Sequence, residues 1–248
     1  MTEGGAEIIL NLKERLNDII SEGVKWEIFE AETATKLYEE IGKYKDDLSK
    51  NRFDNLFGFL QNALLAQTIL AINKIYEKPS KNFQIRSIPA ALKLLQNHSK
   101  NLKIEHREQL EQKLARWGVE EFLRTKSDQE VTEIVVKQIQ KTLEAGDING
   151  ALVHLKTLRD KRIAHPESID ETKLPQILWK EIEKLLEVAK KVVGIIGNNY
   201  CGVCYEWEEG DYILSHDASL IANALSRLLK KINDEQLYPE QAIEPRHE

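Results

Sequence analysis

Cysteine, proline and glycine are all scarce in this chain of 248 residues. Thiols occur only at Cys201 and Cys204, which excludes a small scaffold stapled by disulfides. The 12 glycines and 6 prolines fall well below the roughly 12% that typical chains give these two types. Turns are therefore few, which disfavours a many-stranded sandwich or barrel. The N-terminus has no basic start followed by an apolar run, so no secretory leader is expected and the cytoplasm is the expected compartment. Phosphate-cradling GxxxxGKS, dinucleotide-binding GxGxxG and zinc-protease HExxH patterns are missing, and with them the nucleotide hydrolase, dehydrogenase and zincin readings. Positive charge is also in deficit. With 35 Lys and Arg against 41 Asp and Glu the net charge is −6, so no global field attracts a polyanion and any such ligand needs a local basic patch.

What is present is helical material. The length allows one large domain or two small ones. No internal repeat, low-complexity tract or shift in composition marks a boundary. The reading is a single all-α domain over residues 1–236, a helical bundle of about eight to nine helices by hydrophobic periodicity. Residues 1–48 could form a semi-independent hairpin, and 237–248 a frayed polar tail. Apolar spacing predicts helices over 6–20 and 24–48, separated by a break at Gly23. A strong helix follows over 53–77, stopped by Lys78-Pro79. Its stretch from Asn55 to Asn73 carries no charge and approaches transmembrane length. Six polar side chains within it (Asn55, Gln61, Asn62, Gln67, Thr68 and Asn73) argue instead for a core helix packed on both sides, with no membrane partner. Further helices are predicted over 88–99 with Pro89 in the first turn, over 103–124, after a Ser127/Glu130 capping box, over 148–164 with Asp147 as cap, over 173–196, and over 218–232 capped by Ser215 or Asp217.

The segment Leu158-Arg159-Asp160-Lys161-Arg162-Ile163-Ala164-His165-Pro166 is the one anomaly. At 100° per residue, Ile148, Leu152 and Leu155 define an apolar stripe, and Arg159 and Arg162 fall on it within about 40°. Arginine cannot shed its proton to escape burial. Both guanidiniums must therefore be paired, or the stripe must open there onto a cleft or a partner. Pro166 disfavours helical dihedrals at His165, so the helix should end near Ala164. On an ideal helix Arg159 and His165 point about 120° apart, and the helix end or a second copy would have to bring them together. Lys156, Arg159, Lys161 and Arg162 against Asp160 form a local cationic excess that phosphate could use. Histidine exchanges a proton near neutral pH, and guanidinium forks match phosphate oxygens, which suits metal-free cleavage of RNA through the ribose 2′-hydroxyl. The same residues also fit a simpler account, since cations at a helix C-terminus answer the dipole and the unpaired carbonyls.

Arg159, Asp160, four further residues and His165 resemble the R-x(4–6)-H signature of the HEPN superfamily (higher eukaryotes and prokaryotes nucleotide-binding). The wording Arg-Asp-Lys-Arg-Ile-Ala-His-Pro, with Phe53–Glu77 upstream, resembles the HEPN branch linked to phage abortive infection. The resemblance covers roughly residues 20–200. It implies a metal-independent endoribonuclease of phage-defence or toxin type, a homodimer whose two motifs line one cleft, RNA as partner, a possible antitoxin protein and no cofactor. Arg159 and His165 would be the catalytic pair, with Asp160 the polar residue after the arginine. Arg162 and Lys161 are nominated as phosphate-binding support on position and charge alone. Because some superfamily members have lost catalysis, the alternative is a non-catalytic module binding nucleotide, RNA or a protein.

Other signals are weaker. Cys201-Gly-Val-Cys204 is a lone CxxC, two ligands short of a zinc site, and is read as packing together with Tyr200, Tyr205, Trp207 and Tyr212. His98, His106, His154, His216 and His247 make no metal-binding spacing, so no metal is expected. His154 is read as structural.

Overall fold

The computed structural model describes residues 3–119, 123–164, 179–206 and 212–234. Among them the chain is all-α, as the periodicity predicts, with one isolated bridge between Glu206 and Tyr212 in place of any strand. The helices are α1 (Glu3–Ile19), α2 (Lys25–Lys43), α3 (Lys45–Lys50), α4 (Asp54–Ile75), α5 (Ile88–His98), α6 (Arg107–Arg116), α7 (Asp128–Glu144), α8 (Gly146–Leu158), α9 (Trp179–Ile196) and α10 (Ile213–Asp234).

The expected break at Gly23 does not occur, and the first two helices are not a hairpin. α1 runs into α2 through a π-helical turn, Ile20–Val24, whose flanking residues keep right-handed helical dihedrals. The buried stripe Leu12, Leu16, Ile20, Val24, Ile28 explains the wider turn. Side chains four apart drift by about 40° per step on an α-helix, and a turn closed by i→i+5 bonds takes up that drift. Gly23 serves close packing instead. A Cβ there would lie 2.3 Å from the Cβ of Arg86.

α2 is the central strut. It packs on α4 along one side, on α10 along another, and on α9. α9 is the most deeply buried element, with Ile182, Leu185, Ala189, Val192, Val193 and Ile196 all at or near zero exposure. One core joins α1, α2, α4, α5, α7, α8 and α9, and a smaller cluster of Ile41, Leu48, Phe57 and Leu229 closes the far end of α2. Buried Glu32 of α2 bonds Lys190 of α9 at 3.1 Å and the Ser215 hydroxyl of α10 at 2.7 Å, tying three helices at one point. The Tyr76 hydroxyl at the end of α4 donates to the Leu185 carbonyl at 2.6 Å.

Several expected boundaries move, each for a local reason. The helix expected over 24–48 divides at Tyr44, which leaves helical dihedrals (φ −103°, ψ 13°). α6 stops at Arg116 instead of 124, because Gly118 takes φ +82° and closes a Schellman motif in which its N–H bonds the Ala115 carbonyl and the Val119 N–H bonds the Leu114 carbonyl. Asp147 lies inside α8, whose cap residue is Ala145. α10 begins a turn early, so Ser215 and Asp217 sit within it. The Ser127/Glu130 capping box and Pro89 in the first turn of α5 are present as expected.

α4 departs most from expectation. Its C-terminal half is buried through Thr68, Ile69, Ala71, Ile72 and Ile75. Its N-terminal half is covered on one side only, leaving Leu56 at 55%, Phe59 at 70% and Leu60 at 38% exposure. The helix is long and apolar enough to cross a membrane by composition, yet it is packed lengthwise on α2, an arrangement a lone span would not have.

Candidate functional site

Arg159 stands where α8 stops being an α-helix. Its N–H bonds the carbonyls of Leu155 and Lys156, and from Arg159 to Ala164 the backbone continues as a π-helix. Wide turns of this kind recur at functional sites. The helix therefore reaches Ala164, as Pro166 requires. Two buried leucines, Leu155 and Leu158, anchor the approach at 2% exposure each, and Arg159 is the first residue of the stripe to come free.

α4 positions this end. It packs against both α8 and the π-turn. The Asn73 side-chain amide donates to the Leu155 carbonyl at 3.3 Å and to the Ile69 carbonyl of its own helix at 2.8 Å. Leu155 thus lies opposite Asn73, and the turn that follows still touches α4. The two elements run antiparallel, so the motif advances toward the N-terminal half of α4. Sequence reasoning placed Asn73 on the polar side of its helix but did not connect it to Arg159. The readable signal was a neutral amide in a stretch without charge.

The Arg159 side chain is about one-quarter exposed (25%) and the Asp160 side chain 43%. Asp160 Oδ1 accepts from Arg159 Nε at 2.7 Å and lies 2.6 Å from Nη2. One carboxylate oxygen therefore takes the Nε/Nη2 edge of the fork, and the opposite Nη1/Nη2 edge is not engaged by Asp160. A half-buried guanidinium needs a counter-charge, and the adjacent residue supplies it. Lys156 and Lys161 are exposed beside it. The side chain of Arg162 and the whole of His165 lie outside the described residues.

Other candidates do not converge here. His154 is half-exposed and pairs its Nδ1 with Glu181 at 3.2 Å, joining α8 to α9. Cys201 is buried and its thiol is pushed up to about 12 by burial, whereas Cys204 is exposed and donates to the Glu206 carbonyl at 3.0 Å. Both are free thiols. Among the described residues no group of His, Cys, Asp and Glu could hold a metal ion. A wide cleft of 1090 Å³ lies elsewhere, between α1, the 79–86 loop and α5, and holds none of the motif residues. Two of its cations are already paired, Arg86 with Asp18 at 2.7 Å and Lys74 with Glu27 at 2.9 Å. The geometry at Arg159 is the better phosphate site.

An all-α bundle with an arginine–acid pair at the closing turn of a long helix and R-x(5)-H spacing defines a HEPN-type module. The comparison of sequences agrees. The family model HEPN_AbiU2 (AbiU2) matches residues 12–231, and the chain belongs to this family of abortive-infection HEPN proteins. No curated protein and no solved structure matches it.

Proposed function

We propose that this protein is a metal-independent endoribonuclease of phage-defence or toxin type, working as a homodimer. The observation that carries the reading is Arg159, a half-buried guanidinium with one edge held by Asp160, at the π-turn that ends α8 in a HEPN-family chain. In this reaction the ribose 2′-oxygen attacks phosphorus and the bond to the 5′-oxygen breaks. A proton leaves the 2′-hydroxyl and one arrives on the 5′-oxygen. The products are a 2′,3′-cyclic phosphate and a free 5′-hydroxyl. Arg159 would hold the non-bridging oxygens as negative charge gathers on them, a role guanidinium geometry fits. His165 would exchange the proton with one of the two reacting oxygens. Asp160 orients Arg159, while Lys161 and Arg162 add cationic support for the RNA backbone. A small antitoxin protein belongs to the same reading.

The test is cleavage of single-stranded RNA in EDTA. Wild type should leave cyclic or 3′-phosphate ends. Arg159→Ala and His165→Ala should abolish cleavage at unchanged helicity and relieve toxicity on expression in bacteria. Wild-type activity that disappears with chelator would defeat the metal-free mechanism. RNA binding without cleavage, with His165→Gln fully tolerated, would assign the chain to the non-catalytic HEPN modules.

A further inference from the structure

α4 presents to solvent what a soluble helix should hide. On a helical wheel Leu56, Phe59, Ala63, Ala66 and Leu70 fall within about 80° of one another, on the side turned away from α2. Leu56 and Phe59 are more than half exposed and Ala63 is exposed. From Asn55 to Asn73 the helix carries no formal charge. A contiguous apolar strip of this kind marks an interaction surface.

We infer that a second copy of this chain covers the strip, α4 against α4, antiparallel about a two-fold axis between Phe59 and Ala63. This rests on the dimeric reading above and says which face forms the dimer. Two features of the strip select a copy of itself. The first is charge. A partner recognised by complementary charge finds nothing to pair with, whereas two uncharged faces meet with no like-charge repulsion. The second is size. The antiparallel register sets Phe59 against Ala63 of the other copy and Leu56 against Ala66, so large side chains meet small ones twice over, as a two-fold interface requires. Small residues at the crossing also let the backbones approach within the usual 8–10 Å.

The exposed run from Leu56 to Leu70 is about 21 Å long, which is less than the roughly 800 Å² per partner of a stable interface can use alone. The remaining area must come from the flanks of α4. The π-turn carrying Arg159 is one of those flanks. A seam on α4 therefore places both motif ends beside it.

The experiment measures mass and uses the full chain. Wild type should sediment as a dimer at micromolar concentration. Phe59→Lys and Ala63→Glu should each sediment as monomers with unchanged circular dichroism. Mixed in equal amounts they should dimerise again, because one Lys–Glu contact forms across the axis while the other crossing contact keeps its native pair. A monomeric wild type, or dimers that survive both substitutions, would overturn the proposal, and two monomeric variants that fail to reassociate would overturn the register. RNA cleavage is scored separately. A dimer that behaves as described but never cleaves RNA ends the ribonuclease reading and leaves the seam intact.

Discussion

Two glycines in exchangeable helical settings should respond in opposite directions to one substitution. In Gly23→Ala the new Cβ would sit 2.3 Å from Arg86 Cβ, with Cδ and Cγ at 3.0 and 3.1 Å. Carbon pairs prefer about 3.5–4.0 Å, so something must move by more than an ångström. Arg86 resists, because Asp18 on α1 grips it through Nε at 3.0 Å and Nη2 at 2.7 Å. Overpacking of this kind costs about 1–3 kcal/mol, against about 1 kcal/mol gained from helix propensity. Gly58→Ala keeps the propensity gain alone, since nothing lies within 4 Å of its Cβ. The two variants should differ by about 1–3 kcal/mol, or roughly 2–4 °C in Tm for each kcal/mol in a chain of this size. Differential scanning calorimetry decides it, with Gly23→Ala melting below wild type and Gly58→Ala above. Arg86→Gly, which removes the opposing Cβ, should restore much of the loss in the Gly23→Ala background. If both alanine variants melt together, the clash is not real and Gly23 has some other role.

Asn73→Leu removes the amide that reaches α8. Because the Leu155 carbonyl keeps its bond from the Arg159 N–H, no acceptor is orphaned, and the loss should be about 0.5–1.5 kcal/mol by urea denaturation; a silent variant would mean that the 3.3 Å contact holds nothing in place. Cys204 should react with a thiol reagent in the native state, while Cys201, buried and held neutral with its thiol near 12, should react only on unfolding; equal rates for both would contradict the packing of the 197–201 turn. Glu130 is held below its ordinary 4.5 by the backbone N–H and then the hydroxyl of Ser127. A depressed folded value contributes stability that is present above the unfolded value and lost as pH falls through the folded one. Acidification below 4.5 should therefore weaken wild type more than Glu130→Gln in thermal melts across pH, and parallel curves would count against the capping box.

Periodicity located the helices because most of their stability comes from one buried stripe, and that stripe is written in residue order. Leu110 and Leu114 or Val131 and Val135 need no tertiary information to be assigned inward, and all four are fully buried. What misled was punctuation. Glycine at 23 reads as a breaker by propensity, yet its reason is the approach of Arg86 from a loop more than sixty residues away. Gly118 was readable, since a left-handed residue behind Trp117 is how many helices stop, but the periodic run beyond it overrode the signal. The π-turns at 20–24 and 159–164 leave no mark in composition, because they express a mismatch between stripe and helix that appears only after packing. At the site, the anomaly of charge on an apolar stripe was visible at Arg159. Its immediate partner, Asp160, was visible too, although as the residue after the motif arginine and not as its counter-ion. The placement of His165 falls outside the described residues, and Asn73 could be connected to Leu155 only by the fold.

The acid directly after the arginine settles how one guanidinium can serve both fold and ligand. Arginine at the end of a core-facing stripe stays charged at any physiological pH, so leaving it half-buried and bare would cost stability whether or not RNA is bound. A carboxylate from another helix could neutralise it, but such a partner would lock the side chain into the bundle. Asp160 does so from the next residue, at 43% exposure, and through one oxygen against one edge. The compensation is local and travels with the turn. Because it uses only the Nε side of the fork, the second edge keeps its donors directed away from Asp160. A planar cation with one edge anchored has lost much of its rotational freedom before any ligand arrives, and this lowers the ordering cost of gripping a phosphate. Stability and recognition therefore fall to different edges of the same group. That division explains why an arginine can sit at the end of an apolar stripe where leucine would pack better and lysine, a point charge without edges, could not divide the task.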